Sequence, residues 1–293
     1  MTTRESYLDF MQRREEAESN PMFKKFWTNQ ERRYVKPFHI FGNVWYVGDS
    51  WVCVHLIETS AGLLLIDAGN IGAAPMLVHA IWSLGFRPDD VKWIILSHGH
   101  VDHFGAANFF KRMFGTQIYI GEPDAVTKEQ QPELIYLQDA HNLGEDLYPV
   151  DHVICDGDTL HFGDLTIQCR LVPGHTKGCV ALFFPVTENE RTVRAGYYGG
   201  FGFNTLTKAY LREIGDTTYS MRQIYLQSLR SVMDEPVDLF LGNHTDNNHV
   251  LEKREKIIAG CGENPFLNSS EWKMFLQAKE QEMLAYIADP ANN

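Results

Sequence analysis

The densest chemistry in the sequence is the run Ser97-His98-Gly99-His100-Val101-Asp102-His103, with three imidazoles and one carboxylate in six positions. In a chain of 293 residues with 12 histidines and 18 aspartates, a chance H-x-H-x-D-H is expected only about once in a thousand such sequences. Groups packed this closely need partners if buried, and the imidazoles repel one another if protonated, whereas a divalent cation satisfies all four. His98 and His100 stand two residues apart, so an extended segment points them the same way. The turn that follows can redirect Asp102 and His103 to a neighbouring point. The spacing therefore predicts two adjacent metals.

Four donors cannot complete two sites, so others must come from elsewhere. Two histidines qualify, His175 in Val172-Pro173-Gly174-His175-Thr176-Lys177-Gly178 and His244 in Leu241-Gly242-Asn243-His244. Both follow apolar runs, where loops at strand exits display function. Asp67, which closes the run Leu63 to Ile66, is a candidate to orient a ligand imidazole through its second ring nitrogen. His39, His55, His79, His141, His152, His161 and His249 lack such a setting and read as structural or exposed.

The elements that must position these groups are legible around them. From Pro37, short apolar runs (Phe38 to Phe41, Val44 to Val47, Val52 to Glu58, Leu63 to Asp67) alternate with Gly42-Asn43, Gly48 and Gly62, the texture of antiparallel strands and turns. A helix opening at Pro75 and ending at Gly85, a strand at Trp93 to Leu96, a helix at Ala106 to Phe114 and a strand at Gln117 to Ile120 follow in order. Residues 121 to 151 read as polar and irregular. Strands resume at His152 to Cys155, Thr159 to Phe162, Leu165 to Val172 and Cys179 to Pro185. A helix at Thr217 to Met233, a strand at Val237 to Leu241 and a closing helix at Ser270 to Ile287 complete the chain. Residues 1–36 form an N-terminal helical extension, with Tyr7, Phe10 and Met11 at helical spacing, and residues 37–293 form one catalytic domain.

Composition narrows the partners. The formal net charge of −12 and the lack of a basic cluster disfavour nucleic acid and anionic membranes. No apolar run approaches the length of a membrane span, and the charge-rich opening does not resemble a secretory leader, so a cytoplasmic location is expected. The five cysteines show no C-x-x-C spacing and signal no disulfide framework.

Beyond the H-x-H-x-D-H run, the stretches Phe41 to Gly48, Leu65 to Gly69, Gly85 to Lys92, Asp156 to Asp158, Pro173 to Thr176 and Asn264 to Phe266 resemble the metallo-β-lactamase superfamily, most of all the third subclass of zinc β-lactamases. The resemblance implies an αββα sandwich with the metal site at one edge of the sheets. It implies a first zinc held by His98, His100 and His175 and a second held by Asp102, His103 and His244, with a metal-bound hydroxide attacking the carbonyl of a small amide, lactam or ester. Asp102 would also orient that hydroxide and handle a proton.

Two departures bear on substrate. Lactonase and glyoxalase II relatives usually supply a bridging Asp after the histidine equivalent to His175. Here the stretch Ala195 to Phe203 has no carboxylate, and where the related β-lactamases tend to carry serines that help hold the substrate carboxylate, the first aliphatic hydroxyl after Tyr198 is Thr205. Trp51, Tyr197, Tyr198, Phe201 and Phe203 are candidates to line an apolar pocket for a small-molecule substrate. The alternatives are a lactonase or thioesterase of the same superfamily, a phosphodiesterase or nuclease, and an iron-binding redox protein.

Overall fold

The computed structural model describes residues 30–135 and 147–292. The expected N-terminal helix that carries Tyr7, Phe10 and Met11 lies outside these residues, as does His141.

Two sheets carry the fold. The first has seven strands in sequential order: β1 (Phe38–Phe41), β2 (Val44–Tyr46), β3 (His55–Thr59), β4 (Gly62–Ile66), β5 (Val91–Leu96), β6 (Gln117–Gly121) and β7 (His152–Ile154). It is antiparallel from β1 to β4 and parallel from β4 to β7. The second has five strands, β8 (Thr159–Phe162), β9 (Leu165–Leu171), β10 (Val180–Glu188), β11 (Arg191–Tyr198) and β12 (Leu239–Leu241), in the order β12-β11-β10-β9-β8. Only the β11–β12 pair in that sheet is parallel.

Period-two alternation divides each strand between two cores. In β4 and β5, Leu64, Ile66 and Ile95 meet Ile167, Leu182, Phe184 and Leu241 between the sheets. Leu63, Leu65, Ile94 and Leu96 face outward against the helices α1 (Ala74–Ser83) and α3 (Ala107–Phe114), which bring Leu77, Ile81 and Phe110. On the far side Ala181, Phe183 and Phe240 pack under α6 (Ser220–Val232) and α8 (Glu271–Ala288), through Tyr225, Leu229, Trp272 and Leu276. The layers are helix, sheet, sheet, helix, the αββα sandwich expected from the sequence. Because β4 and β5 are covered on both faces, they read as almost continuous apolar runs.

Four elements depart from the sequence reading. The segment read as irregular after residue 121 opens with helix α4 (Glu122–Gln130), whose polar surface and Pro123 hide its period. The expected strand at Val52 shrinks to β3, leaving Val52 in an isolated bridge with His244. β11 escaped the reading, as did α7 (Val250–Ile258). Short helices also form at Gln30–Arg33, α2 (Val101–Phe104) and α5 (Lys208–Glu213). Among the described residues, no helix is long and apolar enough to cross a membrane.

Candidate metal centre

The donors gather at one edge of the sandwich because that is where the strands that precede them end. His98 and His100 follow β5, Asp102 and His103 lie in α2, His175 sits in the turn between β9 and β10, and His244 follows β12. Strands β4 and β5 run parallel, so Asp67, after β4, emerges beside the β5 exit. The backbone there is locked by Asp67 N–H donating to Ile95 O (2.9 Å) and Ala68 N–H to His103 O (2.7 Å). Asp67 adopts a left-handed φ of 65°, which turns the chain sharply off the strand.

Two groups of donors converge. Ring nitrogens of His98, His100 and His175 lie within 4.8 Å of one another, and so do donor atoms of His98, Asp102 and His103. His100 Nδ1 is 2.9 Å from His175 Nε2, and His103 Nε2 is 3.3 Å from His244 Nε2. The Asp102 carboxylate lies 3.4 Å from His103 Nε2 and 3.7 Å from His244 Nε2. The four residues singled out by spacing and the two histidines at strand exits are therefore brought together.

Outer partners decide which nitrogen each ring turns inward. His175 Nδ1 donates to Gly202 O (2.8 Å), His244 Nδ1 pairs with Trp51 O (3.2 Å), and His103 Nδ1 pairs with Asp67 Oδ2 (2.7 Å). In each ring, once it is neutral, the partner leaves the Nε2 lone pair aimed at its neighbours. Asp67 is itself fixed, since Oδ1 accepts from Ser97 N–H (2.7 Å) and Oδ2 from Tyr197 Oη (2.6 Å). Zinc–nitrogen bonds of about 2.0–2.1 Å in a tetrahedron set donors about 3.3 Å apart. Inward lone pairs repel across such gaps unless a cation lies between them, so the donor set fits divalent metal.

The electrostatics differ between the groups. Burial, followed by the surrounding imidazoles, holds His98 well below the ordinary histidine range. Burial likewise pulls His175 down to about 4 against the opposing Gly202 carbonyl. At His103 burial also lowers, but Asp102 and Asp67 outweigh it and raise the ring to about 10. Burial pushes Asp102 up, yet His103, His244 and His100 outweigh it and keep the carboxyl well below the usual range.

Beside these donors opens a cleft of about 520 Å³. Trp51, His100, Asp102, His175 and His244 line it, and Phe201, Asn204, Asn247 and Lys279 form its other walls. Trp51 packs on His244 with ring centroids 5.2 Å apart, and Phe201 packs edge-on against Phe275 of α8 at 4.6 Å.

The structure corrects the pocket expectation for three aromatics. Tyr197 and Tyr198 are wholly buried at the end of β11, a strand covered on both faces. Tyr197 points between the sheets and Tyr198 toward α6 and α8. Phe203 packs on Tyr225 and Tyr286 and is not among the residues lining the cleft.

Sequence reasoning missed the carbonyls of Gly202 and Trp51, the Tyr197 hydroxyl and Lys279. Only the glycine-rich stretch offered a signal. A Cβ on Gly200 would lie 2.5 Å from His175 Cδ2 and one on Gly202 would lie 3.0 Å from His175 Cε1, so bare backbone lets this loop close over the ring.

Residues 52–189 match the model of the Metallo-beta-lactamase superfamily, a span that holds five of the six donors and leaves His244 beyond it. A probable metallo-hydrolase of Burkholderia pseudomallei is 34% identical over 116 residues, 40% of this chain and 37% of that protein. The hydroxyacylglutathione hydrolase GloC of Haemophilus influenzae is 26% identical over 218 residues, 74% of this chain and 92% of its own length. The chain spans about a third of the length of the first curated relatives it matches. Among solved structures, BJP-1, a subclass B3 metallo-beta-lactamase of Bradyrhizobium japonicum, shares the fold at a TM-score of 0.75 and 24% identity, over 89% of this chain and 96% of that one. The family match falls on the strands and loops that bear five of the six donors, so residues 52–189 carry the match to the metallo-beta-lactamase superfamily and the described chain has the fold of its solved members.

Proposed function

We propose that this protein is a metal-dependent hydrolase that uses two zinc ions to cleave a small amide, lactam or ester. The observation that carries the reading is the convergence of six donors, four of which (His100, Asp102, His175 and His244) line a cleft of about 520 Å³, a size suited to a small molecule.

His98, His100 and His175 would hold one ion, and Asp102, His103 and His244 the other. Zinc bound in this way supplies Lewis acidity, which makes water a nucleophile near neutral pH and polarises an acyl carbonyl. The chain's own residues supply the rest. Asp102 stays ionised beside His103 and His244, so its carboxylate can hold metal and accept a hydrogen bond from the attacking water. Trp51 and Phe201 offer apolar walls to the acyl portion, while Asn204 and Asn247 offer amides and Lys279 an ammonium group.

A thioester is the second reading, favoured by the match along 92% of the Haemophilus hydroxyacylglutathione hydrolase. The lack of a carboxylate between Ala195 and Phe203 weighs against it, because relatives of that kind usually place a bridging Asp there.

The test is a hydrolysis screen of zinc-loaded protein over a chromogenic cephalosporin, nitrophenyl esters, thioesters and lactones, with metal content measured in parallel. Turnover of at least one class, lost on chelation and restored by zinc, is expected. Zinc-loaded protein inert toward all of them would end the hydrolase reading, and iron in the active preparation would end the zinc assignment.

A further inference from the structure

Asp124 lies in the first turn of α4, just after β6, with 2% of its surface exposed. Two backbone N–H groups and one hydroxyl donate to its carboxylate. Oδ2 accepts from Gly99 N–H (2.8 Å) and from Thr176 Oγ1 (2.6 Å), and Oδ1 accepts from Gly178 N–H (2.8 Å). These partners belong to two loops far apart in sequence. Gly99 stands between His98 and His100, while Thr176 and Gly178 follow His175. One buried carboxylate therefore joins the two loops that bear all three histidines of the first donor group.

The packing around it leaves little room. A Cβ on Gly178 would come within 2.5 Å of Asp124 N and 2.6 Å of its Cγ, and a Cβ on Gly121 within 2.1 Å of Gly178 O. Two glycines thus let the His175 loop press directly onto the start of α4. A backbone hydrogen bond, Val180 N–H to Ser97 O (3.0 Å), reinforces the junction nearby. In contrast, the outer nitrogens of His103 and His244 pair with Asp67 and Trp51.

We propose that Asp124 is a positioning residue for the three-histidine site, setting the separation of the His98–His100 loop from the His175 loop. The proposal rests on the metal-centre reading above. A carboxylate can accept all three hydrogen bonds at once. An asparagine of the same size has only one accepting oxygen, and its amide nitrogen would face an N–H or O–H donor.

The experiment compares wild type, Asp124→Asn, Thr176→Val and Thr176→Ser by zinc competition against a chromophoric chelator. Cobalt(II) absorption reports the geometry of each site, and the unfolding midpoint of each metal-free protein is recorded. Loss of a partner that orients ligands typically weakens metal binding about 10- to 100-fold. That loss is expected at one of two sites in Asp124→Asn, with a changed cobalt spectrum for that site and less than about threefold change at the other. Thr176→Val should fall between, and Thr176→Ser, which keeps the hydroxyl, should match wild type. If both sites of Asp124→Asn keep wild-type affinity, or weaken equally in step with a lowered metal-free midpoint, the positioning role is overturned. Should Asp124→Asn fail to fold, equal affinities in the two Thr176 variants would overturn it. Wild-type protein that binds neither zinc nor cobalt would instead overturn the metal-centre reading itself.

Discussion

His103 in the second donor group sits in an electrostatic setting opposite to that of the three-histidine group. Around His98 and His175 the outer partners are neutral, the Ser97 hydroxyl 3.0 Å from His98 Nδ1 and the Gly202 carbonyl on His175 Nδ1. Burial then keeps these imidazoles uncharged, as a metal requires. His103 instead lies between Asp67 and Asp102, and carboxylates on both sides outweigh its burial. Neutral partners prepare a ring to receive metal at once, whereas flanking carboxylates store a proton that must leave first. Their compensation is a stronger hold on the ring's orientation and greater basicity toward the ion.

The largest expected effect tests whether the groups are separate sites. His100→Ala should lose one zinc and fall to the background rate of hydrolysis while keeping the second zinc, read by metal analysis and turnover together. Two zinc ions retained in that variant would break the division.

Acidity comes next. Below pH of about 10 the metal-free His103 carries a proton, so affinity at its site should fall about tenfold for each unit of decreasing pH. Between pH 8 and pH 6 one site should weaken about 100-fold. The three-histidine site, with His175 at about 4, should change far less. Two-site zinc titrations at both pH values check this, and parallel weakening would show that the groups titrate as one.

Asp67→Asn removes one of the two carboxylates and should weaken the His103 site by about 10- to 100-fold while flattening its pH dependence. An unchanged slope would assign the stored proton to Asp102 alone. Smallest is Tyr197→Phe, which deletes one hydrogen bond of 2.6 Å to Asp67. It should cost about 1 kcal/mol of stability, measured by denaturant unfolding of the metal-free protein.

Much of this centre was legible because it is local or periodic. His98 to His103 declare themselves by spacing, and the strand exits at Leu96 and Leu241 announce themselves by apolar runs. What stayed hidden depends on pairing between distant segments. The Tyr197 hydroxyl reaches Asp67 across 130 positions, and Asp124 reaches Thr176 across 52. No local pattern carries either contact, since both follow from sheet register and the stacking of one sheet on the other. Tyr197 and Tyr198 misled because aromatic residues near a glycine-rich loop suit a pocket as well as a strand end. The deciding fact is that helices cover the outer face of β11.

The crowding of His98, His100, Asp102 and His103 into six positions has a consequence for the chain before it folds. These four donors remain neighbours in the unfolded ensemble, while His175 and His244 drift away. Zinc therefore has a foothold on the denatured protein, and any affinity there subtracts from the stabilisation that metal gives the native state. Excess zinc during refolding would occupy this segment before the two sheets dock, making the order in which metal and structure are acquired a determinant of yield.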